Sequence, residues 1–230
     1  MNGDIAQILY TASTWVVPVL IAVTFHEAAH GFVAALRGDD TARRMGRVTF
    51  NPIAHIDPFG TVVLPGMLLL FGSPFLFGYA KPVPVNFMRL RNPRMDMVLV
   101  AAAGPATNIL LAVASALLIH PAASMLPPVA AEWTFQMLVQ SVLLNVVLAV
   151  FNMLPIPPLD GGRIAVGLLP NELASPIARL EPYGLLILVG GIFILPFLGS
   201  QLGLDLNIFR WLVGGPVDVI ADVVFRLSGL

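Results

Sequence analysis

Residues 10–36 read YTASTWVVPVLIAVTFHEAAHGFVAAL, an apolar run that carries one carboxylate and two imidazoles near its C-terminal end. It exceeds the ~20 residues that a helix needs to cross a bilayer. Ionisable groups in such a helix are costly to bury in lipid and are functional candidates by default. The pattern His26-Glu27-Ala28-Ala29-His30 is H-E-x-x-H. On a helix, positions i and i+4 share a face, so both imidazoles can reach one metal ion, with Glu27 beside them to polarise a water. The competing reading is a satisfied polar cluster that pins helices together.

The rest of the chain agrees with a membrane setting. Apolar residues make up 57% of the 230 and charged residues 11%, with a mean hydropathy of +0.87; a soluble domain is about one quarter charged. Further apolar runs cover 97–119, 135–154 and 183–198. Cysteine is absent, which excludes disulfides and thiolate ligands. A net charge of −1 offers no strongly basic face for nucleic acid. Residues 1–17 lack the basic start of a cleavable signal peptide, so the first run is expected to stay as a helix.

Basic residues orient the chain. Eight of the twelve Lys and Arg lie between Arg37 and Arg94, and Arg163 and Arg179 follow the third run, whereas 120–133 has none. By the positive-inside rule, 37–94 and 160–180 are cytoplasmic and 120–133 faces out. Residues 60–78 are apolar enough to span, yet basic clusters flank both ends and Pro65, Gly66, Gly72 and Pro74 interrupt them. A re-entrant hairpin sheltered by neighbouring helices is expected, against a plain crossing. Gly46–Phe50 (GRVTF) reads as a short β element. In 207–230, Asp218, Asp222 and Arg226 recur every four residues, opposite Val219, Ile220, Val223, Val224 and Leu227. That pattern suggests an interfacial amphipathic helix, with a further crossing as the alternative.

A catalytic zinc needs a third protein ligand and an open position. Asp160 follows a proline-broken helix end and precedes Gly161-Gly162, where the chain can bend close to a partner. By spacing alone it is equally a helix cap. If 60–78 dips and returns, His26, His30 and Asp160 fall on the same side of the bilayer. If 60–78 crosses, bonds of ~2 Å would have to reach across ~30 Å of hydrocarbon.

At these residues the chain resembles the site-2 protease family of intramembrane zinc metallopeptidases. The motifs that carry the resemblance are HEAAH (26–30), NPIAHIDPFG (51–60), GPATN (104–108) and FNMLPIPPLDGG (151–162). The resemblance implies a three-helix catalytic core, one Zn²⁺ held by His26, His30 and Asp160, and Glu27 as general base or acid. It also implies that the substrates are single membrane-spanning segments of other proteins. Asn108 and Asn152 become candidates to bind substrate backbone or stabilise an oxyanion, the alternative for each being an interhelical hydrogen bond. His55 and Asp57 read as structural. The family's common PDZ or CBS domains find no room here.

The expectation is therefore an all-α polytopic membrane protein of one domain, 1–230. It has a core over about 9–170, C-terminal helices over about 183–230, a short β element and a re-entrant segment. It would sit in a prokaryotic cytoplasmic membrane, its partners being the lipid bilayer and substrate helices, with its site toward the cytoplasm and a homo-oligomer compatible with the sequence. The rival functions are an inactive membrane scaffold and an ion-binding or transport protein using the same His and Asp groups. Further acidic or His groups lining a path through both leaflets, which transport requires, are missing from the sequence.

Overall fold

The computed structural model describes residues 2–70 and 78–230. The described residues form helices and no strand. Four helical stretches are long and apolar enough to cross a membrane: Ile5–Leu36, Pro93–Met125, Pro128–Asn152 and Asn171–Gln201.

The first long helix (Asn2–Leu36) tolerates Pro18 and stops where the chain reverses. Asp39 N–H reaches back to the Ala34 carbonyl at 2.9 Å, and Gly38 takes φ +111°, a backbone state that suits glycine at a helix C-terminus. The second long helix (Pro93–Met125) and the third (Pro128–Asn152) both start on proline, whose missing N–H costs nothing in a first turn. Leu126 and Pro127 alone separate them, which makes the pair antiparallel.

The contacts fix the relative directions. Trp133 Nε1 donates to Ser13 Oγ at 2.9 Å at one end. Arg37 and Asp96 pair at 3.7 Å at the other. Between them, Ala112 and Ala116 pack on Val142 and Val146. These three helices surround the candidate site. The small side chains let the backbones approach closely, which in lipid replaces the hydrophobic effect as the source of packing energy.

Three expectations meet the structure here. Gly46–Phe50 is not a strand: it is a turn and bends. Its neighbour, the irregular stretch 78–86, is held by the Arg47 side chain, whose Nη2 donates to the Lys81 carbonyl at 2.7 Å. Without a backbone ladder, β-branched residues alone do not make a strand.

The 60–78 segment begins with helical turns over Pro58–Val63 and Leu64–Leu70. Tyr79 N–H donates to the Gly60 carbonyl at 3.0 Å, so the segment's two ends are joined; residues 71–77 lie outside the described residues.

The C-terminal helix (Gly215–Leu227), continued backwards by Arg210–Gly214, packs part of its expected apolar face, Ile220 and Val224, against the protein and leaves the rest exposed. Val213, Val217 and Val224 pack into the Ala112–Val146 cluster, while Val219 is 65% and Leu227 70% exposed. The helix lies lengthwise along the second and third long helices: Phe209 meets Phe151, and Gly229 comes near His120. Val213, Val217, Ala221 and Val224 are small enough to enter the groove beside Ala112 and Ala116 closely, with Ile220 packed against the same cluster.

Candidate metal centre

His26 and His30 precede Leu36 by ten and six residues, about 15 and 9 Å along the axis at ~1.5 Å per residue. Asp160 opens the short helix Asp160–Leu168. Its carboxylate does not cap that helix; Oδ2 lies 3.2 Å from His26 Nε2 and 3.4 Å from His30 Nε2. The two Nε2 atoms are 3.1 Å apart. All three residues are buried, and of the two readings of Asp160, the convergent one holds.

The donor set fits a zinc ion. Ligand atoms ~2.0–2.1 Å from a tetrahedral zinc stand about 3.3 Å from one another, close to the 3.1–3.4 Å edges observed. Two further observations agree. Asp160 Oδ2 is buried with no hydrogen-bond partner. A Cβ on Gly104 would stand 2.5 Å from His30 Nε2 and 2.6 Å from His26 Nε2. The second long helix thus passes its bare backbone next to the nitrogens, leaving the space between them clear.

Each imidazole is oriented from behind. His30 Nδ1 meets the Val100 carbonyl at 2.7 Å, and His26 Nδ1 meets Asn108 Oδ1 at 2.6 Å. A carbonyl-type oxygen on Nδ1 fixes the proton there and leaves Nε2 free as a ligand. The DGG turn is held closely as well. A Cβ on Gly161 would run into the Met153 and Leu154 carbonyls, which explains the glycine that the sequence places beside Asp160.

Glu27 sits on the same helix with Oε2 accepting the Val83 N–H at 2.8 Å. Val83 lies in the 78–86 stretch, anchored on one side by Arg47 and on the other by Asp39, which accepts the Asn86 N–H at 2.6 Å. Burial pushes the Asp39 carboxyl up, but hydrogen bonds from Thr41 and Asn86 and the nearby Arg89 outweigh it and hold the group below its ordinary value.

The two asparagines part company. Asn108 is fully buried, and its Nδ2 donates to Asn145 Oδ1 at 2.8 Å and to the Ala22 carbonyl at 3.4 Å. Both amide hydrogens thus face protein acceptors, while its Oδ1 stands behind His26. Asn152 donates to the Leu148 carbonyl of its own helix at 3.0 Å. His55 bonds the Thr49 carbonyl, and Asp57 caps the Pro58–Val63 turns, both structural as expected. Sequence reasoning missed Gly104, Val83 and Asn145. Gly104 stood in the GPATN motif as the visible cue; a main-chain N–H and a mid-helix amide gave none.

Comparisons with known proteins agree with this centre. The family model described as Peptidase family M50 matches residues 122–195, a range that includes Asp160 but not His26 or His30. A Bacillus subtilis (strain 168) protein named "Putative zinc metalloprotease YwhC" is 41% identical over 191 residues, 80% of this chain and 81% of its own. A Mycolicibacterium smegmatis protein named "Putative zinc metalloprotease Rip2" is 32% identical over 74% of this chain and 62% of its own. Its Mycobacterium tuberculosis (strain ATCC 25618 / H37Rv) namesake is 29% identical over 82% and 71%. No solved structure matches the chain. Helices long and apolar enough to cross a membrane stand around a buried His-His-Asp group that could hold one metal ion, the arrangement that a membrane zinc metalloprotease requires. The chain belongs to peptidase family M50, the site-2 protease family.

Proposed function

We propose that this chain is an intramembrane endopeptidase that cuts membrane-spanning segments of other membrane proteins, with His26, His30 and Asp160 as the zinc ligands and Glu27 as the proton carrier. The convergence of the three ligand atoms carries the proposal, because Glu27 adjoins one of them on the same helix. Bound there, zinc supplies Lewis-acid polarisation of a water and of the substrate carbonyl. Glu27 takes a proton from the attacking water at a carboxylate oxygen as the new C–O bond forms. It then passes that proton to the amide nitrogen as the C–N bond breaks. With the Asn108 donors committed, Asn152 is the amide left to meet the oxyanion through its second N–H.

Val83 N–H occupies one of the two Glu27 carboxylate oxygens, and a shift of the 78–86 stretch on substrate entry would free it. Joined ends at Gly60 and Tyr79 support reading 60–78 as a re-entrant segment beside that stretch. The cluster of Arg37, Arg43, Arg44, Arg47, Arg89, Arg91 and Arg94 at the same end supports a cytoplasmic opening. In Glu27→Gln, cleavage of a single-span substrate in proteoliposomes is expected to fall at least ~10²–10⁴-fold, with zinc content unchanged. Undiminished cleavage in that variant, or zinc content indifferent to His26→Ala, rejects the proposal.

A further inference from the structure

A chain of buried side chains leads away from His26 into the contact between the second and third long helices, and the proteolytic reading leaves it unexplained. Asn108 and Asn145 are both 0% exposed, and Ser115 and Ser141 continue the line at 8%. Asn145 Nδ2 donates to the Ser141 carbonyl at 2.9 Å. Asn145 Oδ1 accepts from Asn108 Nδ2 at 2.8 Å. Asn108 Oδ1 faces His26 Nδ1 at 2.6 Å.

The chain has a direction, and main-chain atoms set it. The Ser141 carbonyl can only accept, so the Asn145 amide must turn its NH₂ toward it and its oxygen toward Asn108. The Ala22 carbonyl, also acceptor only, turns the Asn108 NH₂ the same way. The Asn108 oxygen is thereby forced onto His26 Nδ1, which must carry the proton and leave Nε2 unprotonated toward Asp160. A reversed Asn108 would present NH₂ to Nδ1 and favour the tautomer protonated at Nε2, which cannot bind a metal. The Ala22 contact is long, 3.4 Å against 2.8 Å for Asn145, so Asn145 is the principal lock. His30 needs no such chain, because the Val100 carbonyl serves it directly.

We propose that Asn145 is a positioning residue for the metal centre, acting through Asn108 to hold His26 in the tautomer that binds zinc. The inference rests on the metal site proposed above. Groups that orient a metal-binding imidazole from behind are worth about 10–100-fold in metal affinity.

The test uses the full-length chain purified in detergent, with zinc affinity read by chelator competition and geometry by the d–d spectrum of the Co²⁺ form. Asn145→Ala is expected to bind zinc about 10–100-fold more weakly and to change the Co²⁺ spectrum. Asn108→Ala should do the same, and the double variant should be no worse than Asn108→Ala alone. Ser141→Ala keeps the main-chain carbonyl and should keep wild-type affinity. If Asn145→Ala aggregates, Asn145→Ser, too short to reach Asn108, gives the same readout. Wild-type affinity in the Asn145 variant, multiplying losses in the double variant, or an equal loss in Ser141→Ala overturns this inference alone. Wild-type uptake that survives His26→Ala overturns the metal site and this inference together.

Discussion

The two sides of the candidate centre are built from different material. Behind the imidazoles stand the second and third long helices, with Asn108, Asn145 and the Val100 carbonyl buried among packed small residues. Behind Glu27 stands the irregular 78–86 stretch, held by the side chains of Arg47, Glu27 itself, Asp39 and Thr61 and by main-chain bonds to Gly60 and His55. A wall of helices that exchange buried hydrogen bonds has few alternative arrangements. A stretch held by scattered hydrogen bonds rather than by packed helices can let go locally at a fraction of the cost of unfolding. The helical side thus suits holding a metal in one place, and the irregular side suits admitting a substrate. Substitutions on the first should change zinc content, and on the second substrate handling.

The largest effect is expected at Gly104. In Gly104→Ala the new methyl meets both Nε2 atoms, and rings held from behind at Nδ1 cannot retreat. Metal analysis of the purified variant should show zinc far below one equivalent, and normal occupancy would break the comparison. Gly161→Ala comes next, since its Cβ collides with the Met153 and Leu154 carbonyls. Backbone cannot yield as a side chain can, so the Asp160 turn must move. A loss of more than ~2 kcal/mol is expected, seen as reduced thermal stability together with weaker zinc binding.

On the irregular side, Arg47→Met keeps bulk but releases the Lys81 and Pro82 carbonyls. Zinc content should stay at the wild-type level while KM for a membrane-segment substrate changes several-fold. A parallel fall in zinc would show that the two sides are not separable. The smallest effect concerns Asp39. Its folded-state pKa lies below the ordinary value, so its contribution to stability is present above the unfolded pKa and drains away as pH falls through the folded one. Asp39→Asn should flatten the loss of thermal stability below about pH 4 and cost a few degrees at neutral pH. An unchanged acid limb would sever Asp39 from the anchoring of 78–86.

The candidate ligands were legible because their chemistry is local. Two histidines four apart on an apolar helix can only face the same way, and a turn rich in Pro and Gly can bring an acid close. Other features were not. GRVTF has the residues of a strand and finds no partner, and the C-terminal helix shows charges on one face yet buries a face chosen by the groove beside Ala112 and Ala116. Asn108 reads in the sequence as a donor for substrate, whereas in the structure its amide faces Asn145 Oδ1 and the Ala22 carbonyl.

By itself the sequence determined that the chain lives in lipid and that His26, Glu27 and His30 share a helix, and it offered Asp160 as a candidate to join them. The first two conclusions follow from hydropathy and helical period, which are properties of neighbours along the chain. Only the tertiary structure decided that Gly104 clears the space between the nitrogens, that Asn145 stands behind Asn108, and that Val83 lies on Glu27. Each of these depends on which atoms of distant segments end up within a hydrogen bond or a van der Waals contact, and no local pattern encodes that distance.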